Sequence, residues 1–119
     1  MRSTTTFRRG HVVVVNVPFT GHVGAKPRPA LVLSADAFHR GLPDLIVCPI
    51  SSQPRFYNQP GAGDHPLRHW KSLGLRYPST ARLSNLMAVE KRLIKRALAP
   101  LHEDDLARIE RGLREVFSL

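Results

Sequence analysis

The chain is 119 residues long, has one cysteine, and carries 18 lysines and arginines against 9 acids. That length and an apolar content of 42% fit a single domain over residues 1–119 with one real core, and exclude a second independent unit. Cys48 alone excludes an intrachain disulfide. The start MRSTTTFRR has no apolar signal stretch, and no apolar run is long enough to span a bilayer, so a reducing, cytoplasmic setting without a membrane partner is expected.

In chain order, residues 1–8 read as a frayed polar leader. The β-branched run at 11–17 then reads as a buried strand. Pro18, Gly21, Gly24, Pro27 and Pro29 break any regular period, which predicts a loop over 18–27. Two short apolar runs follow at 30–34 and 45–50, joined through a turn signal at 41–43. They are expected to form adjacent, antiparallel strands. Residues 53–64 contain Pro54, Pro60, Gly61 and Gly63 without apolar period and read as a mobile excursion. Residues 66–74 predict one or two helical turns closed by Gly74, and weaker strands are expected at 80–83 and 93–98. The firmest helix spans 103–117. Leu106, Ile109, Leu113 and Val116 form its apolar stripe, and three acids crowd its first turn, where the macrodipole favours them. The stripe should cover one face of the sheet.

The charge is unevenly spread. The last 17 residues hold three arginines against five acids, a net −2, so the total of +9 leaves +11 on the residues before them. Fourteen of the 18 cations are arginines, whose planar donor fork suits phosphate oxygens. A polyanion is therefore the favoured partner, with nucleic acid ahead of a membrane surface, because the one strong helix is acidic. Plain solubility accounts for the same charge without any partner.

One geometric step points to chemistry. Arg28 opens one predicted strand and Ser51 closes the next, so antiparallel pairing puts a guanidinium and a hydroxyl at one sheet edge. The Gly/Pro loop ends at that edge and adds His22 and Lys26, making a pocket suited to a phosphodiester. The same residues also fit a purely structural arrangement, with Arg28 paired to a carboxylate such as Asp44 and Ser51 capping a turn. His65 and His69 lie four apart, but Pro66 intervenes and no third ligand is evident, so no metal is expected. Cys48 with His39 has the composition of a thiol nucleophile, yet a cysteine inside an apolar strand is usually an inert core residue. Trp70, flanked by Leu67 and Leu73, fits a core anchor better than a base-stacking surface.

Residues 7–20 (FRRGHVVVVNVPFT), 26–34 (KPRPALVLS) and 45–52 (LIVCPISS) resemble, in that order, the MazF/PemK toxins of bacterial toxin–antitoxin pairs. The likeness continues through 70–79 (WKSLGLRYPS), Arg82, 93–96 (LIKR) and the closing amphipathic helix. The resemblance implies a mainly β (α+β) fold, a small SH3-like β-barrel of the MazF/PemK/CcdB type with a C-terminal helix. It also implies a homodimer that cuts single-stranded RNA without metal or other cofactor, and a MazE-like antitoxin as inhibitor. The family's catalytic arginine and its threonine or serine fall on Arg28 and Ser51, the pair that strand geometry brings together. Lys26, Pro29, Ser52, Gln53 and Arg82 are the expected RNA contacts.

The chain departs from the family in three places. The common Arg-Gly-Asp start reads Arg9-Gly10-His11, Ser84 stands where relatives often carry aspartate after the equivalent of Arg82, and the acid that some members place before the arginine is absent. No base is assigned by the resemblance. His22 is the candidate, since a neutral imidazole accepts a proton at working pH, although a solvent-exposed loop histidine has the same sequence signature. A competing expectation is a barrel that binds RNA or protein without cutting, including toxins of this fold that poison gyrase. That class acts largely through its carboxyl-terminal residues, often with a tryptophan, whereas this chain ends Val116-Phe-Ser-Leu119.

Overall fold

The computed structural model describes residues 7–18 and 25–119. Four long strands and three short ones make one antiparallel sheet: β1 (His11–Pro18), β2 (Ala25–Val32), β3 (Asp44–Ser51), β4 (Asp64–Pro66), β5 (Thr80–Arg82), β6 (Met87–Glu90) and β7 (Ile94–Pro100). The strands run in the order β4-β5-β3-β2-β1-β7, and β6 pairs separately with β3. Among the described residues the end strands β4 and β7 do not pair, so the expected mainly β fold is present as a sheet that does not close into a barrel.

The alternation of strand side chains sends residues to two cores. On one face Val12, Leu31, Cys48 and Ile50 pack with Leu67, Leu83, Leu101 and Ile109. On the other Val13, Val15, Ala30, Val32, Leu45 and Val47 pack with Val89. This explains the unbroken apolar run of four valines at 12–15, since both faces of the strand are covered there. Phe7 packs against the second core, and its carbonyl accepts a hydrogen bond from His39 Nε2 at 2.6 Å.

The first core is covered by α3 (Glu103–Phe117), the helix expected from its stripe. Ile109 is buried and Leu106 and Leu113 pack against the cluster, whereas Val116 remains 43% exposed. Two shorter helices, α1 (Asp36–His39) and α2 (Pro54–Asn58), fill segments read as connections. The excursion expected at 53–64 is thus largely built, with α2 leading into β4. The turn expected before Gly74 is a 3-10 turn over Trp70–Leu73, and Gly74 closes it at φ 78°, a left-handed conformation open to glycine. Trp70 packs on the first core. No helix among the described residues is long and apolar enough to cross a membrane.

β3 changes partner part-way along. Val47 is paired with Val32 on one side and Met87 of β6 on the other, while Ile50 and Ser51 pair with Ala81 and Thr80 of β5. A 3-10 turn at Leu83–Asn85 carries the chain from β5 to β6. Pro49, between the two paired stretches, has no N–H to offer a further strand. A gap opens along β3 at this point.

Candidate active site

That gap is a pocket of about 310 Å³, at the small end of the roughly 300–1,000 Å³ usual for ligand sites. Its walls include Arg28 and Pro29 of β2, Pro49, Ile50 and Ser51 of β3, Gln53, Arg55 and Phe56 from the start of α2, and Arg82, Asn85 and Met87. Three arginines therefore line one cavity, and no carboxylate lies among its lining residues.

Arg28 and Ser51 come together through strand register. Ala30 pairs with Pro49, and continuing that register two residues sets Arg28 level with Ser51 on the same face. Arg28 does not open its strand as expected. It is the fourth residue of β2 and pairs with Val15 of β1, because the strand begins at Ala25 and not after the prolines. Pro27 and Pro29 are accommodated opposite Asn16 and Val14. The Ser51 hydroxyl oxygen accepts the Gln53 N–H at 3.2 Å, which leaves its own hydrogen to donate into the pocket.

Arg82 sits across the cavity and is held in two ways. Its Nε donates to Asp64 Oδ1 at 2.8 Å, a directly cross-strand pair in the β4–β5 register, and its guanidinium lies 3.7 Å from the Phe56 ring centroid. The Asp64 side chain is only 4% exposed and also accepts the Gly61 N–H at 3.0 Å. Ser84 donates to Asn85, and the carboxylate that orients Arg82 is Asp64 on the opposing strand.

The other expected site residues separate. Gln53 and Pro29 line the pocket. Ser52 faces a second, smaller cavity with Tyr57 and Tyr77, because successive residues leaving a strand point to opposite sides. Lys26 is exposed on β2 and does not line the pocket. His22 lies outside the described residues. Phe56, Arg55, Asp64, Asn85 and Met87 escaped sequence analysis. Arg55 and Phe56 stand in a segment without period, and Asp64 gains its meaning only from a strand pairing 18 residues along the chain.

The histidines and the cysteine settle elsewhere. His39 is buried and hydrogen-bonds Ser34 Oγ at 2.7 Å and the Phe7 carbonyl, while Cys48 lies in the first core, so the two form no thiol–imidazole pair. Burial pushes the Cys48 thiol up to about 12. His69 stacks on His102 with ring centroids 3.6 Å apart and has Nε2 3.3 Å from Asp104. His65 sits under α3, so close to Gly112 that a Cβ there would lie 2.3 Å from its Nε2. Among the described residues no three His, Cys, Asp or Glu side chains are grouped to hold a metal ion.

With this geometry in place, the family model described as PemK-like, MazF-like toxin of type II toxin-antitoxin system matches residues 8–117. The chain belongs to the MazF/PemK toxin family. Among solved structures it is similar to a MazF from Deinococcus radiodurans at 24% identity and a TM-score of 0.75, covering 98% of this chain and 100% of that one. It is similar to a MazE–MazF complex from the same organism at 26% identity and a TM-score of 0.73, covering 97% and 99%. An endoribonuclease in complex with its cognate antitoxin from a mycobacterial species shares the fold at 18% identity and a TM-score of 0.72, over 98% and 97%. Among curated proteins none matches the sequence. In this chain Arg28 and Ser51 line one basic pocket.

Proposed function

We propose that this MazF/PemK toxin is a metal-independent endoribonuclease that cleaves single-stranded RNA at preferred sequences in the cytoplasm. The convergence of Arg28 and Ser51 in one basic pocket is the observation that carries this reading. The substrate's 2′-oxygen attacks the adjacent phosphorus, the bond to the 5′-oxygen of the next nucleotide breaks, and the products are a 2′,3′-cyclic phosphate and a 5′-hydroxyl end. Negative charge grows on the phosphoryl oxygens as the new bond forms. Arg28 stabilises that charge, and the Ser51 hydroxyl donates to one of the same oxygens. A base removes the 2′-hydroxyl proton, and the departing 5′-oxygen takes up a proton. His22 is proposed as that base on the chemistry of neutral imidazole; a rate unaltered by His22→Ala across pH 5 to 8 removes it.

Lys26, Pro29, Ser52, Gln53 and Arg82 are proposed to contact RNA along the strand, with Lys26 and Ser52 beside the pocket and the others within it. The protein acts as a homodimer, and its inhibitor is an acidic, partly disordered MazE-like segment laid across the basic surface. The MazE–MazF complexes among its structural relatives support such a partner.

The test is incubation with a long single-stranded RNA in EDTA, with new 5′ ends mapped beside an Arg28→Ala control. Discrete cuts that disappear in the folded mutant are expected. Intact RNA with measurable binding overturns the enzyme assignment in favour of a non-cutting module, and intact RNA without binding shifts the search to a protein target such as gyrase.

A further inference from the structure

We infer that the end of the pocket formed by Arg82, Phe56 and Asn85 is a nucleobase subsite that prefers the keto bases uracil and guanine over adenine and cytosine. This rests on the endoribonuclease reading above and deepens it by naming what sits beside the scissile phosphate.

The pocket divides by chemistry. Arg28 and Ser51 form the phosphate end. At the other end, the charge of Arg82 is offset by Asp64, a carboxylate that is 4% exposed, at 2.8 Å. An arginine already neutralised in this way draws a polyanion less strongly, and what it keeps is direction. Its Nε–H is committed to Asp64 and its plane lies on the Phe56 ring, 3.7 Å from the centroid. The terminal nitrogens make no hydrogen bond among the described residues and present their N–H groups as a fork.

Asn85 is oriented in the same sense. Its Oδ1 accepts from Ser84 Oγ at 3.3 Å, and its NH₂ group is able to donate to a ligand. Between these donors the walls are apolar, with Val47, Pro49 and Met87, while the Phe56 ring carries Arg82 and, 4.6 Å from its centroid, Arg55. Apolar walls suit a base better than a tetrahedral, heavily hydrated phosphate.

Donors select acceptors. Uracil offers O4, and guanine offers O6 and N7, the pair that an arginine fork meets most often. Adenine and cytosine place an amino group at the corresponding edge, so donor faces donor and a desolvated N–H is left without a partner. Discrimination on the order of tenfold or more is expected from one such mismatch. Asp64 acts as a positioning residue, since it touches Arg82 and not the base.

The experiment uses DNA strands with one ribonucleotide, so that the cleavable bond is known, and varies the bases flanking it through U, G, C and A. The same sequences made wholly of 2′-deoxynucleotides, with deoxyuridine for U, report binding without cleavage. At one flanking position, U or G should be favoured over C and A about tenfold or more in both cutting rate and affinity. Arg82→Lys keeps the charge but loses the fork and the stack, and should bring that ratio towards one. Asp64→Asn should do the same by freeing the guanidinium, and Phe56→Leu, which leaves the Arg82–Asp64 pair intact, should also lower it. Arg28→Ala should slow cutting for all four bases alike while the binding ratio persists. Equal treatment of the four bases at every position, a preference for A or C, or a ratio that survives Arg82→Lys overturns the subsite. Cutting without base preference removes the subsite and leaves the nuclease, base-selective binding without cutting does the reverse, and neither binding nor cutting removes both.

Discussion

Asp105 holds the main chain of Arg68: one of its carboxylate oxygens accepts the Arg68 N–H at 2.9 Å, and the other accepts the His69 N–H at the same distance. The carboxylate is fully buried and is also paired with Arg108 three residues along the helix. It is thus the clasp that seats α3 on the segment between β4 and Trp70. From sequence it is one of three first-turn acids that favour the helix dipole, and Glu103 and Asp104 are indeed exposed.

Asp105→Asn should be destabilising by about 1–3 kcal/mol, because the new NH₂ group faces a main-chain N–H and leaves it without an acceptor. Thermal unfolding measures this. Glu103→Gln, at an exposed position on the same turn, should change stability by no more than about 0.5 kcal/mol. Equal melting temperatures for Asp105→Asn and the parent would show that the clasp does not hold the helix down.

The hydroxyl proposed to meet the phosphate can be tested by chemistry and not only by removal. Ser51→Ala should lower cutting on the order of a hundredfold while the fold persists, since the side chain sits half-buried at a strand end. Ser51→Thr keeps the donor and adds a methyl that a strand tolerates, so activity should stay within about tenfold of the parent. Single-turnover cleavage of one oligonucleotide compares the two. If alanine is as active as threonine, the Ser51 hydroxyl has no part in the reaction.

What was legible in the sequence followed from periodicity. The run at 11–17, the paired runs at 30–34 and 45–50, and the 103–117 helix each carry a strong local pattern, and all four are present. Arg28 and Ser51 followed because antiparallel register turns a place in the chain into a place at an edge. The remainder depends on pairings that leave no local trace. β6 and β4 are short and flanked by turns, and they gain definition from β3 and β5. Gly112 in mid-helix carries an intrinsic cost, and its reason is His65 on a distant strand. Phe56 and Arg82 meet only after α2 folds back beside β4, which pairs with β5.

Cys48 gives a test of the first core. Its thiol is pushed from an ordinary 9.0 to about 12, chiefly by burial. The folded chain therefore holds this proton more tightly than the unfolded chain does. The associated stability is fully present below pH 9 and is lost as pH rises towards about 12. The parent should lose more stability than Cys48→Ala between pH 8 and 10.5. Ellman's reagent should react with the native protein only as fast as the protein opens, and immediate reaction at pH 8 would contradict burial of the thiol.

His65 gives the opposite sign. Burial is the larger cause lowering its pKa below the ordinary 6.5, and Arg108 adds to it, while Glu115 and Asp64 pull the other way. The folded state therefore binds this proton less readily than the unfolded chain. The stability tied to neutral His65 is present above pH 6.5 and is lost as pH falls below it, when the unfolded chain takes up the proton first. His65→Gln fills much of the same space under Gly112 without titrating. Both proteins should weaken on acidification as carboxylates protonate, but the parent should lose more stability between pH 7.5 and 5. Chemical denaturation at several pH values in that window gives the difference directly, and parallel curves for the two proteins would show that His65 is not the group that senses acid beneath α3.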